Sequence, residues 1–512
     1  MTAEKLKGPD NASLAAMLEA AADRLELQQA DPYRVRAYRK AALSVGRHPR
    51  AVAAMLAQGQ PLTELPNVGR GLAAVLAEFV RSGKPPAPRP GRDRRRRRPG
   101  RTQPRTFIRP LLAPMVDALV ADLRRLPGVQ AVEPAGTYRR RADTVEGLDL
   151  VVACAKPEET LRRWAAGLAL PGETDLEGTT LRITTTDRLL VAVRFVRHLM
   201  PAFVEATGSA GHVAALQARA KALRKPWPPS KGSEASLYGA LGLPWVPPEL
   251  READGEVEAA AEGRLPDLVG LSDLKGDLHM HTEATDGASS VEVMAKASRR
   301  RGMEYVAITD HTQRTSIAGG LTPPAMREHM RRIDDANDQA RAEGWGITIL
   351  KGAEVDILRG GLDLPDDVLE EMDVVVCSLH HRDRQEGAEL TRRVLQAMAH
   401  PKAHILGHPT GRLIGRRPGM DLDWGKVLDS ALDHGWALEV DGQAYRMDPP
   451  APIVRRAAAL GVRFALDSDA HSVREMQFQE NAVDQARRGW VERRQVLNAG
   501  SLAQMRARLR RR

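Results

Sequence analysis

The sequence is poor in cysteine and contains no long apolar run. Its 512 residues include two cysteines, Cys154 and Cys377, and two thiols cannot form a disulfide framework in a chain of this length. No apolar run approaches the roughly 18 residues that a membrane-spanning helix needs, and the N-terminal segment MTAEKLKGPD lacks the apolar core of a secretion signal. We therefore expect a cytoplasmic protein that has no membrane partner.

The chain is rich in apolar residues and in positive charge. Hydrophobic residues make up 42% of it, enough to bury several cores, and its length predicts about two to four domains. The 76 Lys and Arg residues exceed the 66 Asp and Glu residues by ten, which suggests an anionic partner. Eleven basic residues and one acidic residue lie between Arg81 and Arg105, so this stretch alone accounts for the surplus. We expect it to be a flexible polycation that holds DNA, and a merely solvated spacer is the alternative.

Composition and periodicity divide the chain into five segments. They are an all-helical module at 1–85, a disordered Pro- and Arg-rich linker at 86–105, an α+β domain at 106–225, a Pro/Gly-rich and then acidic connector at 226–270, and an α/β domain at 271–512. Apolar spacing predicts helices over 12–29, 33–46 and 65–80 in the module, helices over 111–126 and 211–223 in the α+β domain, and strands over 148–154 and 189–196.

The last segment alternates short apolar strands with helical stretches, which is typical of a parallel α/β sheet or barrel. The predicted strands cover residues 276–281, 304–311, 347–357, 373–380, 404–408, 436–441 and 463–469. Almost every one of them ends in a side chain that can bind a metal ion. The carboxyl ends of parallel strands meet at one rim, so we expect these side chains to converge there. The nine candidates are His279, His281, Asp286, His311, Glu354, His380, His408, Asp469 and His471.

A set of six histidines and three carboxylates suits Zn, Mn or Fe better than Mg or Ca. At about four to six ligands per ion, nine side chains predict two or three ions. Clustered metals that share carboxylates serve phosphoester hydrolysis. A lone histidine at a strand end is more often structural, but nine ligand-type residues at strand ends favour a metal centre.

These motifs resemble those of the PHP family, the polymerase and histidinol phosphatase superfamily. The resemblance implies a distorted seven-stranded barrel around a trinuclear metal centre, with Glu354 as a bridge. It implies three ligand sets, which are His279, His281, Glu354 and Asp469; Glu354, His380 and His408; and Asp286, His311 and His471. In the stretch GHPTGRLIGRRPG we expect Arg412, Arg416 and Arg417 either to grip phosphate or to lie in a solvated loop. No residue is assigned as the general acid.

The order of segments resembles bacterial family X DNA polymerases that carry a C-terminal PHP domain. DPYRVRAYRKAA and LPNVGRGLAAVL are similar to the helix-hairpin-helix module, and GTYRRRADTVEGLDLVV is similar to the nucleotidyltransferase palm. In the hairpin, Val68, Gly69 and Gly71 are expected to present backbone N–H groups to DNA phosphates. Arg94, Arg95, Arg96, Arg97 and Arg98 of the linker are expected to contact DNA as well.

The palm-like segment departs from the family at the positions that carry polymerase chemistry. Gly147 and Asp149 occupy the positions of the first carboxylate pair, and Ala192 occupies that of the third. The aromatic pair expected before Thr207 is Glu205–Ala206, and Val75 stands where family members with lyase activity carry a lysine. One carboxylate cannot hold two catalytic ions, so we predict an inactive polymerase.

The sequence therefore favours a metal-dependent phosphoesterase that acts on DNA, as a 3′-5′ exonuclease or 3′-end processing enzyme in repair. Such a protein would be associated with the nucleoid and needs no evident protein partner. Two alternatives stay open. One is a small-molecule phosphatase of the histidinol-phosphate type, and the other is a DNA-binding scaffold whose metals are structural.

Overall fold

The computed structural model describes residues 9–27, 32–82, 105–168, 170–227, 232–381 and 386–509. It divides into two compact units, Met1–Gln103 and Pro104–Arg512. The predicted linker up to residue 104, with Arg94 to Arg98, lies outside the described residues. In the described part, no helix is both long enough and apolar enough to cross a membrane.

The first unit is an all-helical module in its described residues. Its helices are α1 (Asn11–Leu27), α2 (Pro32–Arg47), α3 (Val52–Ala57) and α4 (Arg70–Ser82). They enclose a core in which Leu14, Val45, Val52 and Leu76 are fully buried. The sequence predicted α1, α2 and α4 but not α3, because six residues are too few to show a helical period.

The second unit begins with the predicted α+β domain. Its elements are β1 (Phe107–Ile108), α5 (Ala113–Arg124), β2 (Val129–Pro134), α6 (Gly136–Arg139), β3 (Thr144–Val145), β4 (Gly147–Cys154), α7 (Pro157–Ala166), β5 (Gly172–Glu177), β6 (Thr180–Thr185), β7 (Leu190–Val196), α8 (Ala202–Thr207) and α9 (Ala210–Ala222). Five strands form one sheet in the order β2-β4-β7-β6-β5, in which β4 and β7 are parallel. One face of this sheet is buried in a single cluster, which includes Leu150, Val152, Val193 and Phe195. These side chains share a face because alternate residues of a strand point the same way.

Residues 226–270, predicted as a connector, are packed into the second unit where the structure describes them. They form α10 (Glu234–Ala240) and α11 (Glu256–Ala261). Tyr238, Val246 and Leu250 of this segment are buried in one cluster with Phe203 of α8. Its Pro, Gly and acidic residues mask these apolar positions in the sequence, so the simple connector is a wrong interpretation.

All seven predicted barrel strands are present. The remaining elements are β8 (Gly276–Asp277), α12 (Val291–Arg300), β9 (Tyr305–Ile308), α13 (Pro323–Ala342), β10 (Thr348–Leu358), β11 (Gly361–Leu362), α14 (Asp366–Leu369), β12 (Val374–Ser378), α15 (Gly387–Met398), β13 (Ile405–Leu406), α16 (Trp424–His434), β14 (Ala437–Asp441), α17 (Ala451–Leu460), β15 (Arg463–Asp467), α18 (Gln479–Arg488) and α19 (Leu502–Leu509).

The seven strands run parallel in the order β8-β9-β10-β12-β13-β14-β15. A parallel bridge between Met280 and Ala470 brings the last strand back to the first, so the sheet is a nearly closed barrel. One buried cluster gathers Ala307, Leu350 and Ile405 from alternate strand positions, and a larger cluster joins the other strand faces to the helices. This closure brings the carboxyl ends of seven strands to one rim.

Candidate metal centre

The structure brings all nine predicted ligand residues together at the rim of the barrel. His279 and His281 follow β8, Glu354 lies within β10, and the others follow the ends of their strands. His279, His281 and Glu354 are almost completely buried. A charge is expensive to bury unless other groups or ions compensate it, so this clustering indicates a functional site.

Glu354 is the centre of the cluster, because five imidazoles surround its carboxylate. Its Oε1 lies 2.8 Å from Nε2 of His408 and 3.2 Å from Nε2 of His380. Its Oε2 lies 2.8 Å from Nδ1 of His311, and the Nε2 atoms of His279 and His281 lie 3.6 and 3.7 Å from it. The two oxygens thus face different sets of histidines, which is what a bridging carboxylate requires.

The two aspartates extend the cluster on either side of His281. Oδ1 of Asp469 lies 3.2 Å from Nε2 of His281 and 3.7 Å from Nδ1 of His471. Oδ1 of Asp286 lies 3.2 Å from Nε2 of His471 and 3.5 Å from Nε2 of His311. These groups therefore form one continuous set of donors with the Glu354 group.

The arrangement fits metal ions better than a hydrogen-bond network. The Nε2 atoms of His279 and His281 face each other at 3.2 Å, beside Oδ1 of Asp469, as ligands of a shared ion do. Nδ1 of His281 and Nδ1 of His408 are buried and have no hydrogen-bond partner among the described residues. Imidazole nitrogens with carboxylate oxygens are the donors that Zn, Mn and Fe accept.

Three groups of donor atoms are each compact enough to hold an ion. They are His281, Asp286, His311 and His471; His279, His281 and Asp469; and His311, Glu354 and His380, each with its ligand atoms within 4.8 Å of one another. This grouping differs from the implied ligand sets in three ways. His281 and His311 are each shared between groups, Glu354 appears in one group, and His408 reaches the cluster through Glu354. The number of ions and the ligands of each therefore stay predictions.

A layer of polar groups behind the histidines fixes the orientation of their rings. Nδ1 of His279 lies 2.6 Å from Oε1 of Glu439, on β14, and Nδ1 of His380 lies 2.9 Å from Oδ1 of Asp356. Outer carboxylates of this kind hold a ligand ring and raise its basicity. Sequence reasoning missed both residues, although carboxylates inside the buried strands ALEVD and GAEVDIL were a usable signal.

The electrostatics differ among these histidines. Burial would lower the pKa of His380, but Glu354 and Asp356 outweigh it and raise the pKa to about 10. In His279, burial is likewise outweighed by Glu439 and Glu354, which raise its pKa.

Two other predicted ligands show the opposite shift. Burial, assisted by His471 and His311, lowers the pKa of His281 to about 4. Burial and the nearby Arg446 lower the pKa of His408 to about 3. Both imidazoles are therefore neutral near pH 7, the form in which histidine binds metal.

Two of the nine residues have strained backbones. His408 has a φ of 25° and Asp469 a φ of 49°, in the left-handed region that non-glycine residues rarely adopt. Such strain persists only where the surroundings hold it, and it is concentrated at functional sites. Here it re-aims two strand-end side chains toward the cluster.

Arg446 places a positive charge beside this cluster, and sequence reasoning did not single it out. Its Nε lies 3.6 Å from Oδ2 of Asp441 and 3.7 Å from Oδ2 of Asp469. Its position in a loop beyond β14, far from the histidine motifs, gave no signal in the sequence.

The three predicted arginines lie elsewhere on the loop after His408. Arg412 donates from Nε to the carbonyl of Arg446 at 2.8 Å, donates to the carbonyl of Met447, and forms an ion pair with Asp143 at 2.9 Å. These contacts use Nε and one terminal nitrogen of Arg412, and its role in phosphate binding stays a prediction. Arg417 donates from Nε to the carbonyl of Gly411, and the Arg416 guanidinium lies 5.7 Å from the Tyr445 ring. Their role in phosphate binding stays a prediction.

Comparison with known proteins agrees with the site. A helix-hairpin-helix domain model matches residues 9–85, and a PHP domain model matches residues 277–415. The DNA polymerase/3′-5′ exonuclease PolX of Bacillus subtilis is 40% identical over 280 residues, which are 54% of this chain and 48% of that protein. The chain therefore spans about half the length of that relative. A probable phosphatase of Syntrophotalea carbinolica is 32% identical over 233 residues, which are 43% of this chain and 90% of that protein. A probable phosphatase of Acetivibrio thermocellus is 30% identical over 206 residues, 38% of this chain and 78% of that protein.

The chain belongs to the PHP family, and it resembles the family X DNA polymerases with a C-terminal PHP domain. The PHP match agrees with the donor clusters of the barrel, which are suited to hold metal ions.

The palm-like sheet contains the departures from the family X pattern that the sequence shows. Asp149 on β4 pairs in parallel register with Ala192 on β7, so the neighbouring strand offers a methyl group and no second carboxylate. The two residues line a cavity of about 470 Å³, together with Ala206, Arg182 and Arg194. Where the structure describes the chain, the groups of three or more His, Cys, Asp or Glu residues that could hold a metal all lie in the barrel.

The hairpin of the helix-hairpin-helix module agrees only in part with the predicted DNA contacts. The N–H group of Val68 donates to the carbonyl of Leu65 at 3.1 Å, so it is not available to a phosphate, and this prediction is wrong. Gly69 and Gly71 are exposed at the start of α4, with open space where a Cβ would stand. Amides at the first turn of a helix have no partner within the helix, so these two residues stay candidates.

Proposed function

We propose that this protein is a metal-dependent phosphoesterase that acts on DNA, as a 3′-5′ exonuclease or 3′-end processing enzyme in repair. The observation that carries this proposal is a buried nine-residue donor cluster in a chain that also holds a helix-hairpin-helix module. The printed name of the Bacillus subtilis relative, a 3′-5′ exonuclease, supports the same substrate.

Three groups of barrel residues would have different roles at the reacting phosphate. The nine donors would hold two or three ions of Zn, Mn or Fe, which supply hydroxide near neutral pH and neutralise charge on the phosphoryl oxygens. Glu354 would bridge ions, while Glu439 and Asp356 keep the ligand rings in place. Arg446 lies beside Asp469, where its guanidinium can bind a phosphoryl oxygen.

We propose further that the polymerase half is inactive. Asp149 faces Ala192, and a single carboxylate cannot hold two catalytic ions. Primer extension with Mg or Mn should therefore add no nucleotide to a gapped or recessed substrate. Metal-dependent addition by the purified protein would contradict this part of the proposal.

The helix-hairpin-helix module and the arginine run are proposed to hold the DNA. Gly69 and Gly71 would present amides to phosphates, and Arg94 to Arg98 would neutralise phosphates along the strand. Deletion of residues 92–98 should make DNA affinity less dependent on salt, because fewer counterions are released. An unchanged salt slope would leave the run as a spacer.

The decisive experiment follows degradation of single-stranded, 3′-recessed and gapped DNA, labelled at either end, with Zn, Mn or Fe added. We expect stepwise loss of nucleotides from the 3′ end by the wild-type protein. Glu354→Gln should abolish this activity while DNA binding is kept, and the matched variant Asp149→Asn in the palm-like sheet should leave it intact. Undiminished degradation by Glu354→Gln would refute the assignment of the site.

A small-molecule phosphatase is the second candidate, favoured by the two probable phosphatases that align over most of their own length. Turnover of small phosphate monoesters in the same assay separates the two, because a phosphatase would exceed its DNA turnover there. A third candidate, a DNA-binding scaffold with structural metals, predicts no turnover of either substrate before or after metal is removed and restored.

A further inference from the structure

The loop between β14 and α17, residues 442–450, carries Arg446 to the metal centre. We call it the Arg446 loop. Arg446 lies within 4 Å of Asp441 and of the predicted ligand Asp469. The loop backbone is strained, since Met447 has a φ of 41° in the left-handed region. A strained loop keeps its shape only while contacts from outside hold it.

Arg412 is one of the side chains that hold this loop from the barrel side, with Asn481 and Gln485 of α18, which donate to the carbonyls of Gly442, Met447 and Pro449. Arg412 donates from Nε to the carbonyl of Arg446 at 2.8 Å and from its terminal nitrogen to the carbonyl of Met447. The backbone of the same segment binds the loop a second time, since the N–H groups of Thr410 and Arg412 donate to the two carboxylate oxygens of Asp448 at 2.9 and 3.1 Å. The segment after His408 and the Arg446 loop are thus fastened together.

Asp143, between α6 and β3 of the palm-like domain, supplies a counter-charge for Arg412. Its Oδ2 lies 2.9 Å from the Arg412 guanidinium, and the side chains of Arg412 and Asp143 are 14% and 28% exposed. Asp143 is itself fixed, because Thr144 N–H donates to its Oδ1 at 3.0 Å and Arg109 N–H donates to its carbonyl at 3.0 Å. Ile108 of β1 adds an apolar contact, in one buried cluster with Tyr445 and Met447.

We propose that Asp143 and Arg412 are positioning residues through which the palm-like domain holds the Arg446 loop in its working geometry. The inactive half of the polymerase thereby becomes a structural part of the phosphoesterase. The proposal rests on the phosphoesterase site proposed above, and it does not depend on DNA being the substrate. A guanidinium anchored at one end by a carboxylate keeps its planar fork aimed at the two loop carbonyls.

A mere docking contact between the two domains would behave differently, and the molecule offers a matched control. Arg488 of α18 donates to Glu252 at 2.8 Å, and the side chain of Glu252 is 24% exposed, close to the value for Asp143. Within the described part of the chain, neither Arg488 nor Glu252 makes a hydrogen bond or an ion pair with the Arg446 loop. Asp143→Asn and Glu252→Gln therefore each remove one carboxylate between the domains, but only Asp143 is linked to the loop, through Arg412.

The first measurement is hydrogen exchange of the full-length, metal-free protein, which needs no catalysis. In Asp143→Asn we expect faster exchange in peptides that cover residues 441–448, where the Arg446 and Met447 amides both donate to the Gln443 carbonyl. Glu252→Gln should keep the wild-type exchange there. Asp143→Glu, which retains the charge, should restore most of the protection. Equal exchange in this loop for Asp143→Asn and Glu252→Gln would overturn the proposal.

The second measurement is turnover of bis(4-nitrophenyl) phosphate by the metal-loaded proteins. Loss of outer positioning groups commonly costs about 10- to 100-fold in metal-site activity, and we expect about a 10-fold lower kcat/KM for Asp143→Asn at unchanged metal content. Should Asp143→Asn unfold, Arg412→Lys provides the same test, because it keeps the charge but loses the fork. If the loop exchanges faster in Asp143→Asn but the wild-type protein shows no turnover, the proposed function is refuted and the positioning role of Asp143 and Arg412 is retained. If Asp143→Asn keeps the wild-type exchange in the loop and the wild-type kcat/KM, only the positioning role of Asp143 and Arg412 is refuted.

Discussion

The barrel and the palm-like sheet share one architectural device and use it with opposite outcomes. Both place side chains on neighbouring parallel strands, at the carboxyl ends in the barrel and near the amino ends in the palm-like sheet. The barrel has seven such strands and brings nine donors together, whereas the palm-like sheet has one parallel pair, β4 and β7, with Asp149 facing Ala192. Parallel strands thus carry a cluster of candidate metal ligands in one half of the chain and a single carboxylate at the paired positions in the other.

In the palm-like sheet, the core residues and the residue at the predicted polymerase position alternate along one strand. Leu148, Leu150 and Val152 of β4 are buried in one cluster, whereas Asp149 is exposed on the opposite face, on which Val151 is buried in a second cluster. Substitution at Asp149 therefore leaves the first cluster intact, whereas a Cβ at Gly147 would meet the carbonyl oxygen of Leu190 at 2.9 Å. Packing of the first cluster and the chemistry of position 149 are thus separable on this strand.

In the barrel, by contrast, ionisable residues at and around the candidate site are themselves buried. Burial and the neighbouring carboxylates of Asp469 and Glu439 raise the pKa of Asp441 well above its ordinary value. In Asp467, burial with Asp277 and Glu439 has the same effect. Burial thus disfavours the ionised form of these two carboxyl groups. In the donors Glu354 and Asp469, by contrast, the surrounding histidines outweigh burial and lower the pKa well below its ordinary value.

The largest expected contrast comes from removing one donor in each half. His281→Ala should lower phosphoesterase activity by on the order of 10³-fold, because the side chain reaches Glu354, Asp469 and Asp286 together. Asp149→Ala should leave that activity unchanged. The measurement is initial rate on a 3′-labelled single strand at saturating metal. A comparable loss in both variants would show that the two halves are not functionally separate.

A smaller effect is expected one layer behind the donors. Glu439→Gln removes the carboxylate that holds Nδ1 of His279 at 2.6 Å, and it should weaken metal affinity by about 10- to 100-fold. Competition against a metal-binding dye measures this directly. Glu370→Gln is the control, since Glu370 is exposed at the surface of the same domain. Unchanged affinity in Glu439→Gln would mean that the ring of His279 is held by the barrel alone.

The sequence predicted much of this contrast because period and spacing are local properties. Seven strands and their terminal donors follow from apolar runs that end in His, Asp or Glu, and closure of the barrel brings the donors together. What could not be predicted depends on contacts far apart in the chain. The contact of Glu439 with His279 and the pairing of Arg412 with Asp143 are of this kind, since they join residues 160 or more positions apart. Arg446 approaches Asp469 from a different loop, which its own sequence does not reveal. The predicted phosphate contact of Val68 was wrong for a local reason, because its N–H group is used in a turn hydrogen bond that residue types alone do not reveal.

The smallest effect concerns the cohesion of the palm-like side, tested at Glu234. Its carboxylate accepts hydrogen bonds from Arg139 at 2.8 and 2.7 Å and from Arg251 at 2.7 Å. Burial alone would raise the pKa of Glu234, but these arginines outweigh it and lower the pKa to about 2 from its ordinary 4.5. The ionised form therefore contributes stability that is fully present above pH 4.5 and is lost as the pH falls toward 2.

Glu234→Gln should lower the free energy of unfolding near pH 7 by on the order of 2 kcal/mol, because it leaves two partly buried guanidinium groups without their carboxylate. Urea unfolding followed by tryptophan fluorescence at pH 7 and pH 3 measures the change. The difference between wild type and Glu234→Gln should shrink at pH 3, since protonation removes part of the same interaction from the wild type. The exposed Glu258→Gln should match wild type at both values. A difference that stays constant between pH 7 and pH 3 would mean that Glu234 stabilises the packed 226–270 segment by shape and not by charge.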